Sequence, residues 1–169
     1  MADAIKIAVN DTPAARRFAE IERMDATPLH AAIGATLANL VRLGFRNSTS
    51  PYGARWKPLK IRRGQPLVDK GQLRSSITFR ADKGGVTVGT NKLQAKVQQF
   101  GATIVPVNAT FLSWQANGQR FFAKKVVIPA RPFLPLLPNG QPKLPPTWER
   151  AVVARLQGAI QAALAGRGV

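Results

Sequence analysis

The sequence predicts an α+β domain, with an antiparallel β-sheet of about five strands, N-terminal helices and a C-terminal amphipathic helix. Three observations lead there. Apolar residues recur at helical spacing near both ends of the chain, they alternate at strand spacing through its middle, and turn-forming residues separate the two regimes. The 169 residues fit one domain, 1–169, carrying a basic loop at 47–66 and a proline-rich arm at 129–146.

The elements follow in chain order. "AIKIAV" alternates Ile5, Ile7 and Val9 and reads as a short strand. "DTP" opens a helix, with Asp11 or Thr12 as cap, Pro13 in the first turn, and Phe18 and Ile21 on one face. A second "TP", Thr27 and Pro28, opens another helix in which Leu29, Ile33, Leu37 and Leu40 or Val41 recur at helical spacing. From Asn47, "NSTSPYGARWKPLKIRRGQP" has no helical period and is dense in turn formers and bases, so it reads as a long loop. "LVDKGQLRSS" reads as a short helical turn. "SITFRA" and "GVTVGT" alternate on either side of Lys83, Gly84 and Gly85, a hairpin signal. "KLQAKVQQF" reads as a short helix closed by Gly101. "ATIVPV", "TFLSW" and "RFFAKKVVIP" read as further strands, with "ANGQ" a turn. After the arm, a helix beginning at Thr147 places Trp148, Val152, Leu156, Ile160 and Leu164 in one stripe, and Gly166 ends it.

The charge is +17, and it is unevenly spread. Residues 1–25 hold five acids (Asp3, Asp11, Glu20, Glu22, Asp25) against four bases, whereas the remainder holds 21 bases against Asp69, Asp82 and Glu149. No acid falls between Asp82 and Glu149, so Lys92, Lys96, Arg120, Lys124, Lys125 and Arg131 have no carboxylate partner nearby in sequence. A field of this sign attracts polyanions, nucleic acid above all; the alternative is a solvated basic face that aids solubility.

Catalytic chemistry finds few candidates. The chain has no cysteine and one histidine, His30, on a helix flank, which leaves zinc without a ligand set and points to no cofactor. Asp69, Asp82 and Glu149 each have a local structural explanation on a turn, a hairpin and a helix start. The glycine-bearing stretches lack the order of a P-loop or a dinucleotide fingerprint. The expectation is a non-enzyme. No apolar run has the ~18 residues that span a bilayer, and the first residues do not form a signal pattern, so no membrane partner and assembly in a cytoplasm are expected.

Specific nucleic-acid motifs are absent too. Tyr52 and Trp56 stand among Arg55, Lys57, Lys60, Arg62 and Arg63, a pattern that fits a stacking-plus-phosphate patch; equally, Trp56 anchors the loop onto the core while its basic neighbours stay wet. The arm carries seven of thirteen prolines yet also Phe133, Leu134, Leu136 and Leu137. Prolines forbid a helix interior or central strand there, so the arm runs extended or turning, and its apolar groups need a cover. That cover is a groove on a neighbouring subunit or partner protein, or the chain's own sheet or terminal helix, and Arg131 between two prolines has a carboxylate or backbone carbonyls next to the arm as its expected hydrogen-bond partner.

Four stretches in order resemble the phage virion morphogenesis family, the tail-completion or neck proteins of Mu-like and P2-like phages. They are "GARWKPL" at 53–59, "LVDKGQLRSSI" at 67–77, "VGTNKLQAKVQQFG" at 88–101 and "IPARPFL" at 128–134. The third has Leu93 and Gln98 where the family pattern has an aromatic-alanine pair and a histidine, and the arm after Leu134 is longer and richer in proline. The resemblance implies a structural protein of the virion at the capsid–tail joint, assembled in the host cytoplasm as a ring matched to the tail's six-fold symmetry. Its partners would be copies of itself, a head-side connector or adaptor, and tail tube or terminator proteins. A ring around a DNA channel accounts for basic residues without base-reading motifs, and Arg62, Arg63, Lys124 and Lys125 are the candidates to face DNA. Two other readings stay open: a non-specific nucleic-acid-binding accessory protein, and a tail-terminator or head-closure subunit.

Overall fold

Thr27 and Pro28 open the long helix α1 (Thr27–Asn47), as their spacing predicts. The Asp25 carboxylate accepts from the Thr27 backbone amide at 3.0 Å, and hydrogen bonding from Thr27, side chain first and then backbone, holds that carboxyl below its ordinary value. The computed structural model describes residues 25–61 and 63–165. The strand read at 4–9, the helix opened by Asp11, Arg62, and the stop at Gly166 lie outside them, as does the side chain of Leu164.

At its far end α1 stops at Ser48, which takes a left-handed conformation (φ 54°) and lets the amide of Thr49 return to the Gly44 carbonyl. The Gln65 side-chain amide adds donors to the carbonyls of Phe45 (2.6 Å) and Arg46 (2.8 Å), groups that the helix itself leaves without partners. Gly34, Ala38, Val41 and Phe45 form the buried face. Of the stripe read from sequence, Leu29, Ile33, Leu37 and Leu40 are only half-buried on the flank of that face, whereas Val41, the alternative to Leu40, lies on it.

After the loop come α2 (Gln72–Ser75), then the hairpin of β1 (Thr78–Asp82) and β2 (Gly85–Gly89) joined through Lys83 and Gly84. This hairpin lies on α1. A Cβ on Gly34 would stand 2.4 Å from the Phe79 ring and 2.8 Å from Val86, so the approach of helix to hairpin depends on a missing side chain. Two polar contacts fix the same packing: Arg42 donates to the Ile77 carbonyl at 2.6 Å, and the His30 Nδ1–H donates to the Asp82 carbonyl at 2.6 Å. His30 is thus a packed histidine that holds the hairpin.

Helix α3 (Gln94–Phe100) ends at Gly101 and is followed by β3 (Ala102–Ile104), β4 (Leu112–Ala116), β5 (Gln119–Ala123) and β6 (Val126–Ile128). The described strands are six, antiparallel throughout, and they pair as three separate ribbons, β1–β2, β3–β6 and β4–β5, rather than as one sheet of about five. The reason lies at Lys124 and Lys125. The stretch that reads as one strand, "RFFAKKVVIP", bends there, so β5 takes β4 as partner while β6 takes β3. The β4–β5 turn is Asn117-Gly118, both with positive φ, the conformation a two-residue hairpin turn requires.

Helix α4 (Pro146–Ala165) packs along α1. Trp148 is buried, and Val152, Leu156 and Ile160 are half-buried behind it at the predicted spacing of four. The core is the cluster of Ala38, Val41, Phe45, Trp56, Leu73, Ile77, Phe133 and Trp148.

Candidate functional site: the clamped arm and the groove beside it

The proline arm is part of the core. Phe133 is 2% exposed, and its ring lies 5.4 Å from that of Phe45, which meets Trp56 edge-on at the same distance. A segment with prolines at 129, 132 and 135 has few backbone donors to satisfy its own carbonyls, so side chains from elsewhere do it. The Gln99 Oε1 accepts from the amides of Phe133 (2.9 Å) and Leu134 (3.0 Å), and its Nε2 donates to the Leu134 carbonyl at 3.0 Å. Gln99 itself is 3% exposed, and its short helix α3 aims it at the arm. From the other side the Trp56 indole N–H donates to the Pro132 carbonyl at 2.7 Å.

Arg131 ties the arm to the basic loop. Its Nε donates to the Lys57 carbonyl at 2.9 Å and an Nη to the Pro58 carbonyl at 3.2 Å, while its backbone amide donates to the Gln98 carbonyl at 2.7 Å. At 7% exposure this guanidinium is spent inside the chain. Gly101 belongs to the same junction: a Cβ there would stand 2.8 Å from the Ala130 nitrogen, and its φ of 76° suits glycine.

Beyond Leu134 the arm turns back on itself. Leu136 bridges to Pro142, the Leu137 amide donates to the Gln141 carbonyl at 2.8 Å, and Lys143 donates to the Pro135 carbonyl at 2.9 Å. Leu134 and Leu144 pack on the core, Leu136 and Leu137 are half-buried, and the Tyr52 hydroxyl donates to the Lys143 carbonyl at 2.8 Å. Arg131 thus meets backbone carbonyls, one of the two kinds of partner expected for it, but on its own chain, and the expectation that Phe133 docks in a neighbouring subunit's groove gives way to the other reading of the arm: Phe45 and Trp56 offer the aromatic surface and Gln99 the polar partners that proline cannot.

The loop from Lys57 to Ile61, held by Arg131, forms one wall of a groove of about 610 Å³ whose other wall is β6 with Pro129. The Asn117 side chain at the β4–β5 turn donates to the Ile61 carbonyl at 2.7 Å, which holds the end of that wall. Lys57, Lys60, Arg63, Lys124 and Lys125 have exposed side chains. Lys125 precedes by two residues the Val127 that lines the groove, and Arg63 follows by two the Ile61 opposite, so the basic candidates border both walls along the chain. Arg62 lies outside the described residues. Sequence reading had Gln99 only as part of the third stretch and gave neither it nor Gln65 a role, since a glutamine that satisfies distant backbone carries no local pattern of that kind.

Among the described residues, no group of three His, Cys, Asp or Glu could hold a metal ion, and no helix is long and apolar enough to cross a membrane. What the geometry defines is an α+β domain braced to hold surface loops in fixed positions. Comparison with known proteins says which kind. The phage virion morphogenesis family model matches residues 9–152, and the chain belongs to that family. It is similar to "Mu-like prophage FluMu G protein 2" of Haemophilus influenzae, 36% identical over 141 residues that cover 81% of this chain and 88% of the relative. No solved structure matches the chain significantly. The four stretches that carry the resemblance converge at one place: Trp56 from the first, Leu73 and Ile77 from the second, Gln99 from the third and Phe133 from the fourth all belong to the core or its clamp. In this chain these motif residues are ones that build the domain.

Proposed function

We propose that this chain, a structural protein of phage virion morphogenesis by its family, acts in tail completion as a subunit of a ring at the head–tail neck, around the channel through which DNA passes. The observation that carries this reading is the charge: 21 bases against three acids after residue 25, on a domain with no base-reading element among its motifs. Attraction to phosphates is independent of sequence, which suits a channel lining better than a sequence-reading protein. The ring would be closed and heterologous, one face of each copy against a different face of the next. Its neighbours would be a head-side connector or adaptor and the tail tube or terminator.

Immunogold labelling of purified tailed particles with an antibody to this chain tests the position. Label at the head–tail joint is the expected result. Particles without label, given an antibody that binds the free protein, would overturn it and turn attention to an accessory role on nucleic acid.

A further inference from the structure

The groove beside Arg131 has the form of a slot for one extended chain. Val127 and Ile128 both line it, and consecutive strand residues point to opposite faces, so the groove runs along the edge of β6 rather than over one face. One edge of β6 is paired with β3; among the described residues no strand pairs the other, and no backbone hydrogen bond joins residues 57–61 to 126–129. An unpaired edge facing a fixed loop is the setting in which an added strand docks, its backbone on the edge and alternate side chains in the slot.

The lining indicates what fits. Leu59, Ile61, Val127 and Ile128 give the slot an apolar floor, Lys57 and Lys60 give it cationic walls, and no acid lines it. A complementary strand alternates apolar residues and ends in carboxylates. This chain contains such a segment: "DAIKIAVND", residues 3–11, places Ile5, Ile7 and Val9 on one face between Asp3 and Asp11. We propose that the slot of each copy receives residues 3–11 of the next copy as a strand beside β6, a head-to-tail contact that rests on the ring reading above.

The ring reading assigns the segment to the slot of the next copy, since a closed ring sets one face of each copy against a different face of its neighbour. Asp25 lies at the end of α1 near His30 and Lys83, whereas the slot lies at the opposite end, where Phe45, Trp56 and Pro132 meet. The 21 residues of α1 separate these ends by about 31 Å.

The natural absence of cysteine makes the test direct. Two full-length variants, Ile7→Cys and Val127→Cys, are mixed and oxidised mildly; Val127 is 63% exposed, so its replacement leaves the core intact. The expected product is a covalent pair holding one copy of each variant, forming at least several-fold faster than either variant pairs with itself, and slowed several-fold by Lys57→Glu with Lys60→Glu. In the doubly substituted chain a ladder of linked copies is expected. A cross-linked monomer without a ladder would overturn the proposal by showing the segment in its own slot, and equal rates for all pairings would overturn it by showing chance collision. Light scattering on the same samples separates the two readings: rings without the mixed cross-link refute this contact alone, whereas a monomer at all concentrations refutes the ring as well.

Discussion

The ring of Phe133, deep in a proline-rich segment, sits 5.4 Å from the ring of Phe45 at the end of the long helix α1, and this contact makes the arm a structural part of the domain. The motif "IPARPFL" is therefore a packing motif in this chain.

Phe133→Ala removes a fully buried aromatic and its ring contact with Phe45. A loss of about 3–5 kcal/mol is expected, read as a lower urea midpoint with little change in slope. A substitution at half-buried Leu137 should cost clearly less. Unchanged melting of Phe133→Ala would contradict the core placement.

Gln99→Leu keeps the shape but leaves the amides of Phe133 and Leu134 without the acceptor they share. Each buried orphan donor costs roughly 1–3 kcal/mol. Hydrogen exchange at those two amides should accelerate well before exchange in α1 does; if both stay protected, another acceptor holds the arm.

Arg131→Lys retains the charge but loses the planar fork that spans the Lys57 and Pro58 carbonyls. Limited proteolysis is expected to cut residues 57–61 faster while the core melts at nearly the same temperature. Equal cutting rates would mean that the Asn117 contact to Ile61 suffices to hold the wall.

Gly34→Ala places a methyl into the Phe79 ring, and overpacking of this kind costs about 1–3 kcal/mol. The double variant with Phe79→Ala should be less affected than the two separate losses combined, because the second change makes room for the first. Additive losses would show that the helix, not the ring, has to move.

Replacing Arg63, Lys124 and Lys125 by Gln should weaken binding to duplex DNA of any sequence and lower its salt dependence by about one unit of slope for each phosphate contact removed. Equal affinity at low salt would exclude these three residues from contact with DNA.

The elements that sequence defined well are those whose signal is local. The "TP" start of α1, the Lys83-Gly84 and Asn117-Gly118 turns, the Gly101 stop of α3 and the Trp148 stripe of α4 each depend on a few adjacent residues, and the structure has them where they were read. The buried face of α1 was read only in part, at Val41. It is marked by Gly34 and Ala38, whose value lies in being small enough for the hairpin to approach, and hydrophobic spacing favours the larger leucines beside them.

By itself, then, the sequence determined an α+β chain, its helix and turn positions, its basic excess after residue 25, and its family motifs. The tertiary structure alone decided which strands pair, because β3 and β6 meet across more than twenty intervening residues and β5 parts from β6 at a bend without a strong local sign. It also decided where the arm's apolar groups go. Prolines exclude regular structure but do not name a partner; Gln99 and Trp56 supply hydrogen bonds to the arm from 34 and 76 residues away, and Arg131 ties the arm to a carbonyl 74 residues away, distances over which no sequence pattern repeats.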